Sequence, residues 1–177
     1  MTLMTKHLGN LPWPYLPLVL SLSVLAGCTQ VHQTIAVGEM IGDIDVVQLS
    51  GKREKLSSLS KDRITLVVFW ATWCQRCREE VPDINDLAAD YGSSLAVIGI
   101  SAGETLHTVK AHSAGLGIRY PVVVTQLSNL AALGIDSIPR LVVLDSKGRI
   151  QRIENGVNTS LRARLTQLAH ENEPNQN

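Results

Sequence analysis

Two cysteines three positions apart, Cys74 and Cys77, are the residues of this sequence best suited to chemistry. A C-x-x-C pair passes two electrons by opening and closing one disulfide. The pair stands where an apolar run, 64–70, gives way to a helical pattern reaching residue 91. A cysteine in the first turn of a helix faces unpaired backbone N–H groups, which favour its thiolate and lower its pKa. Cys74 is therefore expected to be the exposed nucleophile. Cys77, one turn deeper on the same face, is expected to resolve a mixed disulfide formed at Cys74. Two other readings compete. A zinc site needs a full ligand set; His32, His107, His112 and His170 show no ligand spacing to one another, so no metal is expected. A purely structural disulfide would close a very short loop and add little stability.

Charge and composition narrow the field. Among 177 residues, 16 basic side chains balance 16 acidic ones, which gives no electrostatic attraction to nucleic acid or to an acidic membrane surface. Apolar residues, at 45%, suffice for a packed core. The third cysteine, Cys28, closes a segment with the features of an export signal. Lys6 and His7 precede an apolar run, 15–26, that contains Pro17 and is too short to span a bilayer. It ends on Leu25-Ala26-Gly27-Cys28, which resembles a bacterial lipoprotein signal, where small residues precede a cysteine that becomes the lipidated N-terminus. The alternative is an ordinary signal peptide or uncleaved anchor in which Cys28 is incidental. The expected organisation is a signal peptide over 1–27, a tether over 28–37, a domain over 38–170 and a polar tail over 171–177. Such a chain would sit in a bacterial cell envelope, held to the membrane through lipid at Cys28 and facing the periplasm or the outside.

The elements that must position the dithiol follow from periodicity. Strands are expected at 44–49, 64–70, 95–101, 122–125 and 141–145, the last joined to 150–154 by a Ser146-Lys147-Gly148 turn. Helices are expected at 74–91, 104–114 and 128–133. A last helix, capped by Ser160, carries Leu161, Leu165 and Leu168 on one face. The runs 64–70 and 95–101 are almost continuously apolar, as strands buried on both faces are. The predicted class is α/β: a three-layer sandwich with a central mixed sheet covered by helices on both faces.

The stretch Phe69-Trp70-Ala71-Thr72-Trp73-Cys74-x-x-Cys77 is followed by Glu80 and Pro82, then by Ile138-Pro139 ahead of a strand and by Asp145-Ser146-Lys147-Gly148-Arg149. On these residues the chain resembles thioredoxin-like proteins of the TlpA/ResA type, exported and membrane-tethered thiol-disulfide oxidoreductases, over about residues 38–168. The resemblance implies a thioredoxin-like fold and no cofactor beyond a redox-active Cys74–Cys77 disulfide. It places Pro139 in a cis-proline loop that faces the dithiol and keeps metal off the sulfurs. The backbone of Ile138 would pair with an extended client segment, beside Trp73. Glu80 matches an acidic residue that tunes the thiols and accepts a proton; the alternative is a solvated helix glutamate next to Glu79. Pro82 is expected to kink the helix from within. The chain also departs from the pattern. Val68 stands where thioredoxin has a buried aspartate, and Arg76 where proline often precedes the second cysteine. Gln75 and Arg76, between the cysteines, would tune the couple. Arg76 favours the Cys74 thiolate and a more oxidising disulfide, while a buried Glu80 pushes the other way.

The function expected is reduction of disulfides in exported proteins, such as those of apocytochrome c, with electrons from a membrane donor. Arg76 keeps the opposite direction open, an exported oxidant or isomerase. A thiol peroxidase is disfavoured, because Ala71-Thr72-Trp73 does not reproduce the Pro-x-x-x-Thr/Ser-x-x-Cys loop of peroxiredoxins. A redox-inert adaptor or metallochaperone is disfavoured by the intact dithiol and Pro139.

Overall fold

The computed structural model describes residues 35–171; Cys28 and the leader expected at 1–27 lie outside the described residues. Strands β1 (Asp45–Gln48), β2 (Arg53–Lys55), β3 (Ile64–Trp70), β4 (Leu95–Ser101), β5 (Val122–Val124), β6 (Arg140–Leu144) and β7 (Ile150–Glu154) form one sheet in the order β2-β1-β5-β4-β3-β6-β7. β3, β4 and β5 run parallel, and the other pairings are antiparallel. The helices are α1 (Leu56–Ser60), α2 (Gln75–Glu79), α3 (Val81–Tyr91), α4 (Leu106–Ser113), α5 (Leu127–Ala132) and α6 (Thr159–Glu171).

Every residue of β3 and β4 is buried, which is why both run apolar without alternation. Their side chains still alternate between two cores. Leu66, Val68, Trp70 and Val97 face one core with Ile84 and Leu87 of α3 and with Leu161, Leu165 and Leu168 of α6. Val67, Phe69, Ile98 and Ile100 face the other with Leu56 of α1 and Leu130 of α5. The three-layer sandwich is thus the consequence of a sheet with two apolar faces, each needing cover. Both dithiol sulfurs belong to the first core. Before β1, Ile35 N–H donates to the Leu133 carbonyl at 3.1 Å, and Gly38 N–H to that of Ile150 at 2.8 Å. These contacts begin ahead of residue 38, where the domain was expected to start.

Three local expectations are corrected. The helix expected over 74–91 is two helices, α2 and α3, meeting at Glu80. Pro82 does not kink a continuous helix from within; it lies in the first turn of α3, where its missing N–H is harmless. The Arg78 carbonyl, which an N–H at position 82 would have met, accepts from Glu80 N–H instead. The cap of α6 is Asn158, not Ser160: its Oδ1 accepts from Leu161 N–H at 2.8 Å, while the Ser160 hydroxyl takes the Arg152 guanidinium. Finally, β2 and α1 occupy residues 53–60, where no strand or helix was expected.

Candidate active site

β3 ends at Trp70, and the chain turns through 71–74 before α2 begins. The turn is closed by Cys74 N–H donating to the Ala71 carbonyl at 3.1 Å. Cys74 is the N-cap of α2, and its Sγ accepts from Cys77 N–H at 3.2 Å. A thiolate at Cys74 would accept the same bond more strongly, since a charged acceptor strengthens it. Cys74 and Cys77 form a disulfide with Cα atoms 5.3 Å apart. Cys74 was expected to be exposed, yet in this oxidised state it is only 7% exposed, against 4% for Cys77. Both sulfurs pack into the first core, and the exposure expected of Cys74 is not seen in the oxidised state. Trp73, between turn and helix, is 67% exposed.

The Ile138–Pro139 bond is cis. Phe69 pairs with Arg140 across antiparallel β3 and β6, so Pro139, just ahead of β6, lies at the end of the sheet where the dithiol turn leaves β3. Pro139 is buried and Ile138 half-buried. Arg140 holds the preceding loop through Asp136 at 3.2 Å and the Ser137 hydroxyl at 2.8 Å.

Glu80 is not a solvated surface glutamate: its side chain is 15% exposed. Oε2 accepts from Val157 N–H at 3.0 Å, and Oε1 lies 3.8 Å from Arg76 Nε. Burial holds its carboxyl above the usual carboxylate range, against the lowering by Val157 N–H and Arg76. Gly156 makes this fit possible, because a Cβ there would stand 2.2 Å from Oε1. Burial also pushes the Tyr120 hydroxyl well above the ordinary phenol value, and the Glu80 charge adds to it. Tyr120 and Trp70 close over Gly99, where an added Cβ would meet Tyr120 Cε2 at 3.0 Å and Trp70 Nε1 at 3.1 Å. The indole N–H of Trp70 is buried without a hydrogen-bond partner among the described residues.

The structure therefore brings Cys74, Cys77, Trp73, Glu80, Ile138 and Pro139 to one end of the sheet. Arg76 reaches Glu80 rather than a sulfur, and Gln75 donates to Glu79 at 3.0 Å along the exposed face of α2. Val68, in place of a strand aspartate, is plain core. A partly buried carboxylate, that of Glu80, is present on the helix side instead. Tyr120, Gly156 and Val157 were missed; each is remote in sequence from the dithiol and is brought to Glu80 or Trp70 only by the fold. No cluster of metal-ligating side chains occurs among the described residues.

The thioredoxin-like family matches residues 62–150, half of the chain. A thioredoxin-like protein of Bacillus subtilis, YneN, is 32% identical over 128 residues, 71% of this chain and 75% of that protein. The chain belongs to the thioredoxin-like family. The thiol-disulfide oxidoreductase ResA of Geobacillus thermodenitrificans is 26% identical over 127 residues, 71% of this chain and 72% of ResA. A Bacteroides thetaiotaomicron protein described as a candidate disulfide isomerase superposes with a TM-score of 0.66 at 31% identity, over 77% of this chain and 89% of that one. With its intact Cys74–Cys77 disulfide, the chain is a thiol-disulfide oxidoreductase of the TlpA/ResA type.

Proposed function

We propose that this oxidoreductase works as a reductant of disulfides in exported proteins, with Cys74 as nucleophile and Cys77 as resolving thiol. The Cys74 thiolate attacks one sulfur of a client disulfide, forming a mixed disulfide and releasing one client thiolate. The Cys77 thiolate then attacks the Cys74 sulfur, releasing the second client thiolate and closing the Cys74–Cys77 bond. Two electrons pass to the client, and a thiol donor at the membrane must return them. Ile138 and Trp73 flank the route by which an extended client segment reaches Cys74. Glu80 takes up and returns the proton of the resolving thiol. Exposed cysteine pairs such as those of apocytochrome c are clients of the right chemistry.

One observation carries the direction of transfer: Glu80, a carboxylate held in a partly buried site, engages the Arg76 guanidinium. An arginine so occupied favours the Cys74 thiolate less, and the nearby carboxylate opposes thiolates, so the reduced state gains little stabilisation and the couple stays reducing. The reduction potential of Cys74/Cys77 in a defined thiol buffer tests this. A value near that of thioredoxin, about −270 mV, supports a reductant; one near about −120 mV reverses the direction. The tether is proposed on Leu25-Ala26-Gly27-Cys28. Cys28→Ala should move the protein from the membrane fraction to the soluble fraction, and unchanged membrane association would remove the lipid anchor from the proposal.

A further inference from the structure

Trp73 is a large apolar side chain left two-thirds exposed beside the dithiol, so packing does not fix it. Its position is set by the main chain of the turn, and above all by the residue before it. Thr72 has all three of its polar groups held by side chains of other segments. Its N–H donates to Glu104 Oε2 at 2.8 Å, and its hydroxyl donates to Glu104 Oε1. Its carbonyl accepts from Arg78 Nη1 at 3.3 Å. Glu104 is itself tied to the sheet: its Oε2 also accepts from the hydroxyl of Ser101, a buried residue at the end of β4. A further bond between the same two segments, Ala102 N–H to the Trp70 carbonyl at 2.7 Å, fixes the distance between the β4 exit and the dithiol turn. Among the described residues the hydrogen bonds of Glu104 go to Thr72 and Ser101 and not to a sulfur, so its use lies in what it holds.

We propose that Glu104, assisted by Arg78, is a positioning residue that braces Thr72 and so presents Trp73 as a preset platform for polypeptide clients. The inference rests on the reading of Trp73 as a client contact. A long client loses chain and side-chain freedom on docking, and a rigid platform lowers the part of that cost borne by the enzyme. A small disulfide reaches Cys74 without needing the platform. Loss of the brace therefore changes selectivity between disulfide classes, which general destabilisation does not.

The test is steady-state turnover of the purified full chain with insulin and with an aromatic small-molecule disulfide, in wild type, Glu104→Ala, Thr72→Val, Thr72→Ser and Trp73→Ala. Glu104→Ala and Thr72→Val should lower the ratio of kcat/KM for insulin to that for the small disulfide by about tenfold, the order of one charge-assisted hydrogen bond. The change should fall in the insulin KM rather than in kcat. Thr72→Ser, which keeps both donors, should restore the ratio. Should Glu104→Ala not fold, Thr72→Val against Thr72→Ser decides alone. A ratio that stays at the wild-type value in Thr72→Val while Trp73→Ala lowers it overturns the brace and leaves the client contact standing. A ratio unmoved by Trp73→Ala overturns both.

Discussion

Replacing Gly156 by alanine puts a methyl group 2.2 Å from Glu80 Oε1, roughly 1 Å inside ordinary contact. An overlap of that depth in a rigid core would cost several kcal/mol, yet the expected loss here is small. Gly156 does not have a left-handed φ, so the backbone accepts alanine, and the unfolded chain loses freedom worth about 0.4–1 kcal/mol in favour of folding. The clashing atom is the tip of a flexible side chain that burial already disfavours in its ionised form. Glu80 can swing outward to Arg76, which is 66% exposed. What remains is the Val157 N–H, half-buried and deprived of its acceptor, at about 1 kcal/mol. The two contributions nearly cancel, so urea denaturation at neutral pH should place Gly156→Ala within about 1 kcal/mol of wild type. The Glu80 carboxyl, followed by NMR titration, should fall back into the ordinary carboxylate range as it becomes solvated. A loss above about 3 kcal/mol with the Glu80 titration still raised would refute this reasoning, because the backbone around 156 would then have yielded instead of Glu80.

Glu80→Gln keeps an acceptor for Val157 N–H but carries no charge. Folded wild type binds the Glu80 proton more tightly than the unfolded chain does, so this group's stabilising contribution is complete below the ordinary carboxylate range and lost as pH rises through the raised folded value. The stability difference between Glu80→Gln and wild type should therefore grow in favour of the variant across that window, and a flat difference in pH-dependent denaturation counts against the burial of Glu80. The same variant should lower the thiol titration of the reduced protein by removing a nearby negative charge, which ultraviolet absorbance of the thiolates reads directly. Cys74→Ser should abolish insulin reduction, whereas Cys77→Ser should accumulate mixed disulfides visible on non-reducing gels; trapping by the Cys74 variant would exchange the two roles. Asn158→Ala should cost about 1 kcal/mol by uncapping α6, measured by denaturant titration, while Ser160→Ala should cost less, having no capping bond to lose.

The parts of the fold legible in the sequence are those whose physics is local. β3 and β4 were readable to the residue because burial on both faces leaves an unbroken apolar run. The β6–β7 hairpin was readable because Ser146-Lys147-Gly148 marks its turn, with Gly148 at φ 82°. β2 was not: Arg53-Glu54-Lys55 is a charged edge strand, and edges that resist pairing with other chains carry just such residues. The break at Glu80 was misplaced because the apolar spacing of Ile84 and Leu87 suits one helix or two. Only the hydrogen bonds around Pro82 separate those cases.

The site shows the same division in sharper form. The dithiol and Ile138-Pro139 are visible as motifs, because their chemistry needs fixed residue types at fixed spacing. The residues that govern the charge around them are visible only once β3, β4 and β5 are placed side by side. Parallel pairing of β3 with β4, with Trp70 opposite Ser101, is what carries Glu104 to Thr72 across 32 positions. Tyr120, just ahead of β5, closes over Gly99 of β4, while the loop after β7 delivers Val157 and Gly156 to Glu80 across 77 and 76 positions. A sequence with Val68 in the strand lacks a strand acid near its dithiol, and on the proposed reading Glu80 replaces it from the other side of the turn. That replacement is conditional in a way a strand aspartate would not be. Glu80 sits at the joint of α2 and α3, and only a glycine at 156 leaves room for its carboxylate. On the proposed role of Glu80, redox tuning is tied to a helix break and to one missing methyl group, and substitution at either should shift the couple before the dithiol itself is touched.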